Sequence, residues 1–220
     1  YQECRVKAEV LSRTHPAFSL LESILYDNGF FLLDEHLVRL QATARYFGYP
    51  LDIDRIRDGL FEHAAEWGSE PLKVRLLVDR DGSFRIEAAP ASPAAPVRAG
   101  FAREPVDERD VFLFHKTTHR DVYDRALASR HDCDDVILWN TRGEVTETAT
   151  ANLVFQKDGR LLTPPVSSGL LPGTLRGHLL AAGEIEEAIV HKEDVESAGS
   201  LRLINSVRKW VDAVLVPCPD

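Results

Sequence analysis

Residues 139–177, WNTRGEVTETATANLVFQKDGRLLTPPVSSGLLPGTLRG, constrain this chain more than any other stretch. The β-branched, alternating segment EVTETATANLVF calls for strands, and two turn signals flank it. Thr141-Arg142-Gly143 supplies the first turn, with Gly143 free to take a positive φ, and Lys157-Asp158-Gly159 supplies the second. The stretch closes on GLLPGTLRG, a Pro-Gly break before Thr174, whose hydroxyl is able to cap a helix. Strands bearing a carboxylate and an amide therefore adjoin a helix N-terminus with free N–H groups and a positive dipole end. Such a stretch suits a molecule with a basic nitrogen at one end and a phosphate at the other.

A length of 220 residues fits one large domain or two modest ones, each able to bury a core. A hydrophobic share of 44% with 28% charged residues is ordinary for a globular protein. The formal charge of −9 argues against nucleic acid or an anionic membrane as the main partner. No apolar run reaches the ~18 residues of a membrane helix, and no signal peptide opens the chain, so a cytoplasmic protein is expected. Cys4, Cys133 and Cys218 are scattered with no CxxC pair, which indicates neither a disulfide framework nor a zinc knuckle. The chain starts at Tyr1 and contains no Met, which suggests a piece of a longer polypeptide.

Taken in order, FSLLESILYDNGFFLL predicts two strands about Asp27-Asn28-Gly29, a strong hairpin signal. EHLVRLQATARYF predicts a helix over 35–47, with Leu37, Leu40, Ala44 and Phe47 on one face and Gly48 and Pro50 as its stop. A second helix is expected over 52–67, then a hairpin about Asp81-Gly82. The Pro- and Ala-rich segment 89–97 reads as a linker. The expected organisation is thus α+β, with a small domain over 1–88 and a larger one over 98–220. In the larger part, DVFLFHKTT reads as an apolar strand ending in charge, DVYDRALASRH as a helix and 135–140 as a buried strand. A helix is expected over 174–182, AIVHKE as a strand, a helical turn over 194–198, and LRLINSV and VDAVLV as closing strands.

Several residues suggest chemistry. Lys116 follows the apolar run VFLFH, where a desolvated amine would have the lowered pKa and nucleophilicity of a Schiff-base lysine; a surface lysine at a strand end is the plain alternative. Glu147 precedes Asn152 by five residues, and a buried carboxylate there needs a cation such as a protonated pyridine nitrogen; a solvated strand residue is the alternative, with Glu144 as rival carboxylate. Thr174 and the N–H groups around it form an anion site or a simple cap, and Arg39 and Ser206 are further anion candidates. His115 and His119, four apart, have metal-ligand spacing but no evident third ligand. Neither a Walker nor a dinucleotide fingerprint occurs.

The segments LLESILYDNGFFLLDEHLVRL, HKTTHRDVYD, GEVTETATANLVF, LLTPPVSSGLLPGTLR and LINSVRKW together resemble the class IV pyridoxal-phosphate aminotransferase family, over most of the chain. The resemblance implies a two-domain fold-type-IV enzyme, a small α/β domain beside a larger one with a β-barrel-like core, using pyridoxal 5′-phosphate (PLP). It implies that Lys116 bonds to the cofactor aldehyde and Glu147 faces the pyridine nitrogen. Arg39, Thr174 and Ser206 resemble the phosphate contacts, and Asn152 a site-supporting position. HKTTHRDVYD, TPPVSSGLLPGTLRG and INSVRKW are most similar to the 4-amino-4-deoxychorismate lyase branch. The opening CRVKA resembles the junction of a fusion behind an aminodeoxychorismate synthase subunit. One departure stands out: HPAFSLLES replaces the family's GDGxFET entry, with Ser23 where threonine is common.

The implied reaction converts 4-amino-4-deoxychorismate to 4-aminobenzoate and pyruvate in folate biosynthesis, in a homodimer working with or fused to the synthase. Two rivals stand beside it: a class IV aminotransferase acting on branched-chain or D-amino acids, and a cofactor-free binding module of the same fold.

Overall fold

The computed structural model describes residues 17–217; the fusion-like segment CRVKA, Cys4 and Cys218 lie outside the described residues. Two sheets organise the chain. β1 (Leu20–Tyr26), β2 (Leu72–Val78) and β3 (Phe84–Pro90) form an antiparallel sheet in that order. Helices α1 (Leu33–Phe47) and α2 (Ile53–Ala64) pack on one of its faces. Period-2 alternation sends Leu20 and Ile24 of β1 to meet Leu37 and Leu40 of α1 and Ile56 and Leu60 of α2. Leu21 and Ser23 point the other way, as do Lys73 and Arg75 of β2, and this second face becomes a wall of a cleft.

The larger sheet has eight strands: β4 (Val97–Phe101), β5 (Asp135–Trp139), β6 (Val145–Thr148), β7 (Asn152–Lys157), β8 (Arg160–Thr163), β9 (Glu186–Glu187), β10 (Ser200–Asn205) and β11 (Lys209–Val216). Their order is β6-β5-β4-β11-β10-β7-β8-β9. β6 is an edge strand and β7 lies well inside, yet residues 149–151 alone join them, so the sheet must curl into a half-barrel. Ile137, Val145, Leu153, Phe155 and Leu203 fill the inside of the curl. Alternation along β7 sends Val154 to the outer face, where it meets Leu175 and Leu179 of α4 (Thr174–Ala181) and Ile204. Asn152 shares that parity, which aims it at the start of α4. Two further helices are α3 (Asp121–Ala128) and α5 (Lys192–Glu196).

Three expected strands are absent. After β1, Asn28 and Gly29 turn the chain, but only Tyr26 and Phe30 bridge before α1 begins, because Leu32 at φ 54° redirects the backbone into the helix. The segment 111–113 is a single 3₁₀ turn rather than a strand, capped by Asp110, whose Oδ1 accepts the Phe112 N–H at 3.0 Å. AIVHKE is not a strand: Val190 gives one backbone carbonyl to Val145 N–H, and His191 with Asp194 forms a capping box that starts α5 at Lys192. β3 reaches Pro90 and β4 begins at Val97, so the connecting segment is 91–96.

The chain following the 3₁₀ turn is held by the small sheet. Leu21 N–H donates to Lys116 O at 3.0 Å, and Thr118 N–H to Ser19 O at 2.9 Å. Lys116 is thus fixed on the edge of β1, although its side chain reaches a cleft whose opposite wall is the larger sheet. Among the described residues no helix is long and apolar enough to cross a membrane.

Candidate active site

A cleft of about 570 Å³ opens between the two sheets. Arg39, Lys116, Glu147, Asn152, Thr174 and Ser206, scattered over the sequence, all line it. Ser23 lines it too, and its carbonyl accepts the Ser206 hydroxyl at 3.3 Å, tying the β10–β11 turn to β1.

Lys116 sits in the cleft wall with its amine pushed down to about 8. Desolvation is the main cause, the nearby Arg39 cation adds to it, and Glu22 and Glu147 partly oppose it. A lysine so placed is a far better nucleophile at neutral pH than a solvated one.

Glu147 is buried at the end of β6. Tyr123 of α3 donates its hydroxyl to Oε1 at 2.8 Å, Leu171 N–H donates to the same oxygen at 3.0 Å, and the Asn152 amide donates to Oε2 at 3.2 Å. Burial raises the carboxyl to about 7, against the lowering effect of Leu171 N–H and the Tyr123 hydroxyl. A cation placed against it would be stabilised by an almost unscreened charge. Asn152 also donates to Leu171 O at 2.9 Å, bracing the 171–173 loop against the carboxylate. A Cβ on Gly173 would lie 2.0 Å from Asn152 Oδ1, so only glycine lets this loop approach so closely.

Thr174 opens α4 directly after Gly173, as its position after Pro-Gly predicts, but Gly173 is the cap residue and no side chain caps the helix, so the Thr174 hydroxyl is not the cap the sequence suggested. The first intrahelical donor is Gly177 N–H to Gly173 O, so the N–H groups ahead of it are available to an anion. Thr174 Oγ1 lies 3.3 Å from His36 Nε2, and His36 Nδ1 lies 2.7 Å from Glu22 Oε2. A proton on Nδ1 therefore leaves Nε2 to accept from the threonine hydroxyl. Glu22 also receives Arg39 Nε at 2.9 Å and Nη2 at 2.5 Å, and Arg39 Nη1 donates to Pro172 O at 3.2 Å. Burial alone would raise the Glu22 carboxyl, but Arg39 and His36 bring it down to about 2. Arg39 is thus clamped at the helix mouth with part of its donor fork still open to the cleft.

The remaining candidates lie elsewhere. Glu144 faces Arg142, Asn140 and Ser168 outside the cleft. His115 stacks against Tyr46 with its ring centroid 4.4 Å away and meets Phe47 and Thr43, while His119 lies against Phe112. No cluster with metal-ligand chemistry occurs among the described residues.

Sequence reasoning missed Glu22, His36, Arg120 and Tyr123. Arg120 lies over the Tyr123 ring at 4.6 Å and donates to Ala149 O at 2.6 Å. The (i, i+3) spacing of His36 and Arg39 was a readable signal, since it puts both on one helix face beneath β1.

An amine, a buried carboxylate, and a helix mouth with an arginine meet in one cleft, and the group to test against them is a phosphorylated pyridine aldehyde. The donor set fits that group in charge: an amine of lowered pKa for the aldehyde, a carboxylate short of a cation for the ring nitrogen, and open N–H groups for the phosphate.

The family model of amino-transferase class IV matches residues 19–216, and the chain belongs to that family, whose members use pyridoxal phosphate. A Schizosaccharomyces pombe protein provisionally named an aminodeoxychorismate lyase is 30% identical over 213 residues, covering 92% of this chain and 91% of its own. The crystal structure of a Mesorhizobium loti protein, provisionally named an amino-acid aminotransferase, superposes with a TM-score of 0.83 at 34% identity, over 90% of this chain and 100% of that one. An aminotransferase from Mycobacterium tuberculosis, described as hypothetical and solved with α-ketoglutarate and PMP bound, shares the fold with a TM-score of 0.77 at 24% identity, over 90% of this chain and 81% of that one.

Proposed function

We propose that this PLP enzyme is a lyase that converts 4-amino-4-deoxychorismate to 4-aminobenzoate and pyruvate. The observation that carries the reading is the convergence of Lys116 and Glu147 on one cleft. The near-full-length relative named for that lyase, and the lyase-like wording of HKTTHRDVYD and INSVRKW, favour this branch of the family.

When bound, PLP supplies an aldehyde that condenses with amines and a pyridine ring that accepts the electron pair released at the carbon bearing nitrogen. In the proposed roles Lys116 bonds to that aldehyde, and Arg39, Thr174 and Ser206 hold the phosphate. Glu147, held by Tyr123, Asn152 and Leu171 N–H, keeps a proton on the ring nitrogen. Asn152 supports both the carboxylate and the phosphate loop. Once the substrate amine has displaced it from the aldehyde, the freed Lys116 Nζ takes the proton from the amine-bearing carbon and, as the ring–oxygen bond breaks, returns one to the departing enolpyruvyl carbon. The ring thereby loses a proton and the enolpyruvyl group, which together make up the pyruvate, and becomes aromatic. The atoms balance without water or a second substrate, so no group beyond those in the cleft has to act.

The rival reading, amino transfer to a 2-oxo acid, is favoured by the name of the Mesorhizobium loti neighbour. One assay separates them. Enzyme loaded with PLP is given aminodeoxychorismate, with pyruvate followed by lactate dehydrogenase and 4-aminobenzoate by fluorescence; branched-chain and D-amino acids are then offered with 2-oxo acids. Pyruvate and 4-aminobenzoate in equal amounts support the lyase, whereas amino transfer without pyruvate release overturns it. We further propose a cytoplasmic homodimer working with or fused to a synthase that makes its amine, which light scattering and native-size analysis of the endogenous protein test.

A further inference from the structure

The chain carries 26 basic and 35 acidic residues, yet the cleft reverses this balance, with seven basic side chains against three acidic ones. Of the acids, Asp135 is saturated by the hydroxyls of Thr148 and Thr150 and the N–H groups of Val136 and Ala149, and Asp134 accepts from Arg98 N–H. Glu147 is committed to the site described above. The phosphate loop and Arg39 account for the positive charge at one end of the cleft. They leave unexplained a second group of cations contributed by both sheets.

Lys73 on β2, Arg208 in the turn between β10 and β11, and Arg120 pair with no carboxylate among the described residues, and Lys73 and Arg208 are the two that the site above leaves unused. By contrast, Arg75 leans on Glu87 at 3.5 Å, and Arg120 is spent on Ala149 O and the Tyr123 ring. Arg208 is held rather than loose. Asn205 Oδ1 accepts the N–H groups of Val207 and Arg208 at 3.0 and 2.8 Å, fixing the turn, and Arg208 Nη2 donates to Thr150 Oγ1 at 3.0 Å. Lys73 comes from the facing wall: it shares a face of β2 with Arg75, whose Cα pairs with Ser23, and Ser23 meets Ser206 of the same turn. The two cations are close enough that Arg75, Arg208 and Arg120, besides desolvation, depress the Lys73 amine. Like charges gathered without counter-ions are unfavourable in the free protein and are relieved by an anion of opposite charge.

We propose that Lys73 and Arg208 form a second anion subsite, which takes a substrate carboxylate remote from the amine-bearing carbon, so that the enzyme selects amines carrying two carboxylates. This rests on the lyase reading, whose substrate has two such groups. A held planar guanidinium and a flexible ammonium line the same cleft here, and the pair can close on a carboxylate that a branched-chain amino acid lacks.

The test uses the PLP-loaded enzyme and two probes, isophthalate and benzoate, which differ by one carboxylate, with affinities measured by calorimetry. The native enzyme is expected to bind isophthalate about 10-fold or more tightly than benzoate. Lys73→Gln and Arg208→Gln are each expected to weaken isophthalate about 10-fold while benzoate changes less than about twofold, and Arg208→Lys to keep part of the preference. Lys73 is exposed, so its variant leaves the fold intact. Isophthalate affinity unchanged in both variants, or an equal loss for both probes, overturns the proposal, the latter assigning these residues a packing role. The pyruvate assay separates this from the lyase reading. A charge-dependent preference without pyruvate release keeps the subsite and discards the lyase. Pyruvate release whose KM ignores both variants keeps the lyase and discards the subsite.

Discussion

The reactivity of Lys116 gives the sharpest test of the site. Its amine is lowered from an ordinary 10.5 to about 8 by desolvation first and Arg39 second, with Arg120 adding and Glu22 and Glu147 opposing. At pH 7 this raises the free-amine fraction roughly 300-fold, from about 0.03% to about 10%. The apoprotein should therefore capture PLP with a rate constant that climbs about tenfold per unit below pH 7, bends near pH 8 and is flat by about pH 9.5. Stopped-flow growth of the near-visible absorbance band measures it. Nα-acetyl-lysine run in parallel cancels the titration of PLP itself. Lys116→Ala should abolish the band and its trapping by borohydride. A rate still rising tenfold per unit through pH 9.5, as for a solvated lysine, would refute the assignment of Lys116 to a desolvated wall.

Three further outcomes follow from the same geometry. Glu147→Gln should still form the PLP band but lose about 10²-fold or more in turnover, since a neutral amide cannot hold a proton on the ring nitrogen; unchanged turnover means another group faces that nitrogen. Glu22→Gln should cost about 3 kcal/mol at pH 7, read from urea midpoints. The Glu22 carboxyl is lowered to about 2, so its stabilisation is complete above about pH 4.5 and is lost as pH falls through 2; a native-to-variant gap that stays constant between pH 6 and pH 3 contradicts this. Gly173→Ala drives a Cβ to 2.0 Å from Asn152 Oδ1 and should destabilise by about 1–3 kcal/mol and weaken PLP roughly tenfold, as fluorescence titration would show.

Much of this arrangement was legible in the sequence because its signals are local. Pro172-Gly173 before Thr174 marks a helix start whatever surrounds it, and Asp81-Gly82 and Asp158-Gly159 mark turns in the same way. Six of the side chains singled out in advance line the cleft, Arg39 and Ser206 among them as further anion candidates. What was missed depends on partners distant in the chain. Glu22 in LLESIL shares the parity of Leu20 and Ile24, and a carboxylate on that face has no visible partner until α1 is laid beneath it with His36 and Arg39. Tyr123 lies in the expected helix DVYDRALASRH with nothing local to mark it, whereas its hydroxyl reaches Glu147 on another element. The run VFLFH looks like a strand by composition, but Asp110 closes it into a 3₁₀ turn. Phe112 there packs against Phe18 and Phe47.

The stitching of Lys116 to the edge of β1, by Leu21 N–H, carries a consequence for how the protein matures. The proposed nucleophile rides on one half of the molecule, while Glu147, Asn152 and Thr174 ride on the other. Neither half alone presents a complete receptor for the vitamin. Yellow colour after loading with PLP is then a gauge of correct docking between the halves, and a fraction that stays colourless in excess PLP would report chains whose two sheets never met.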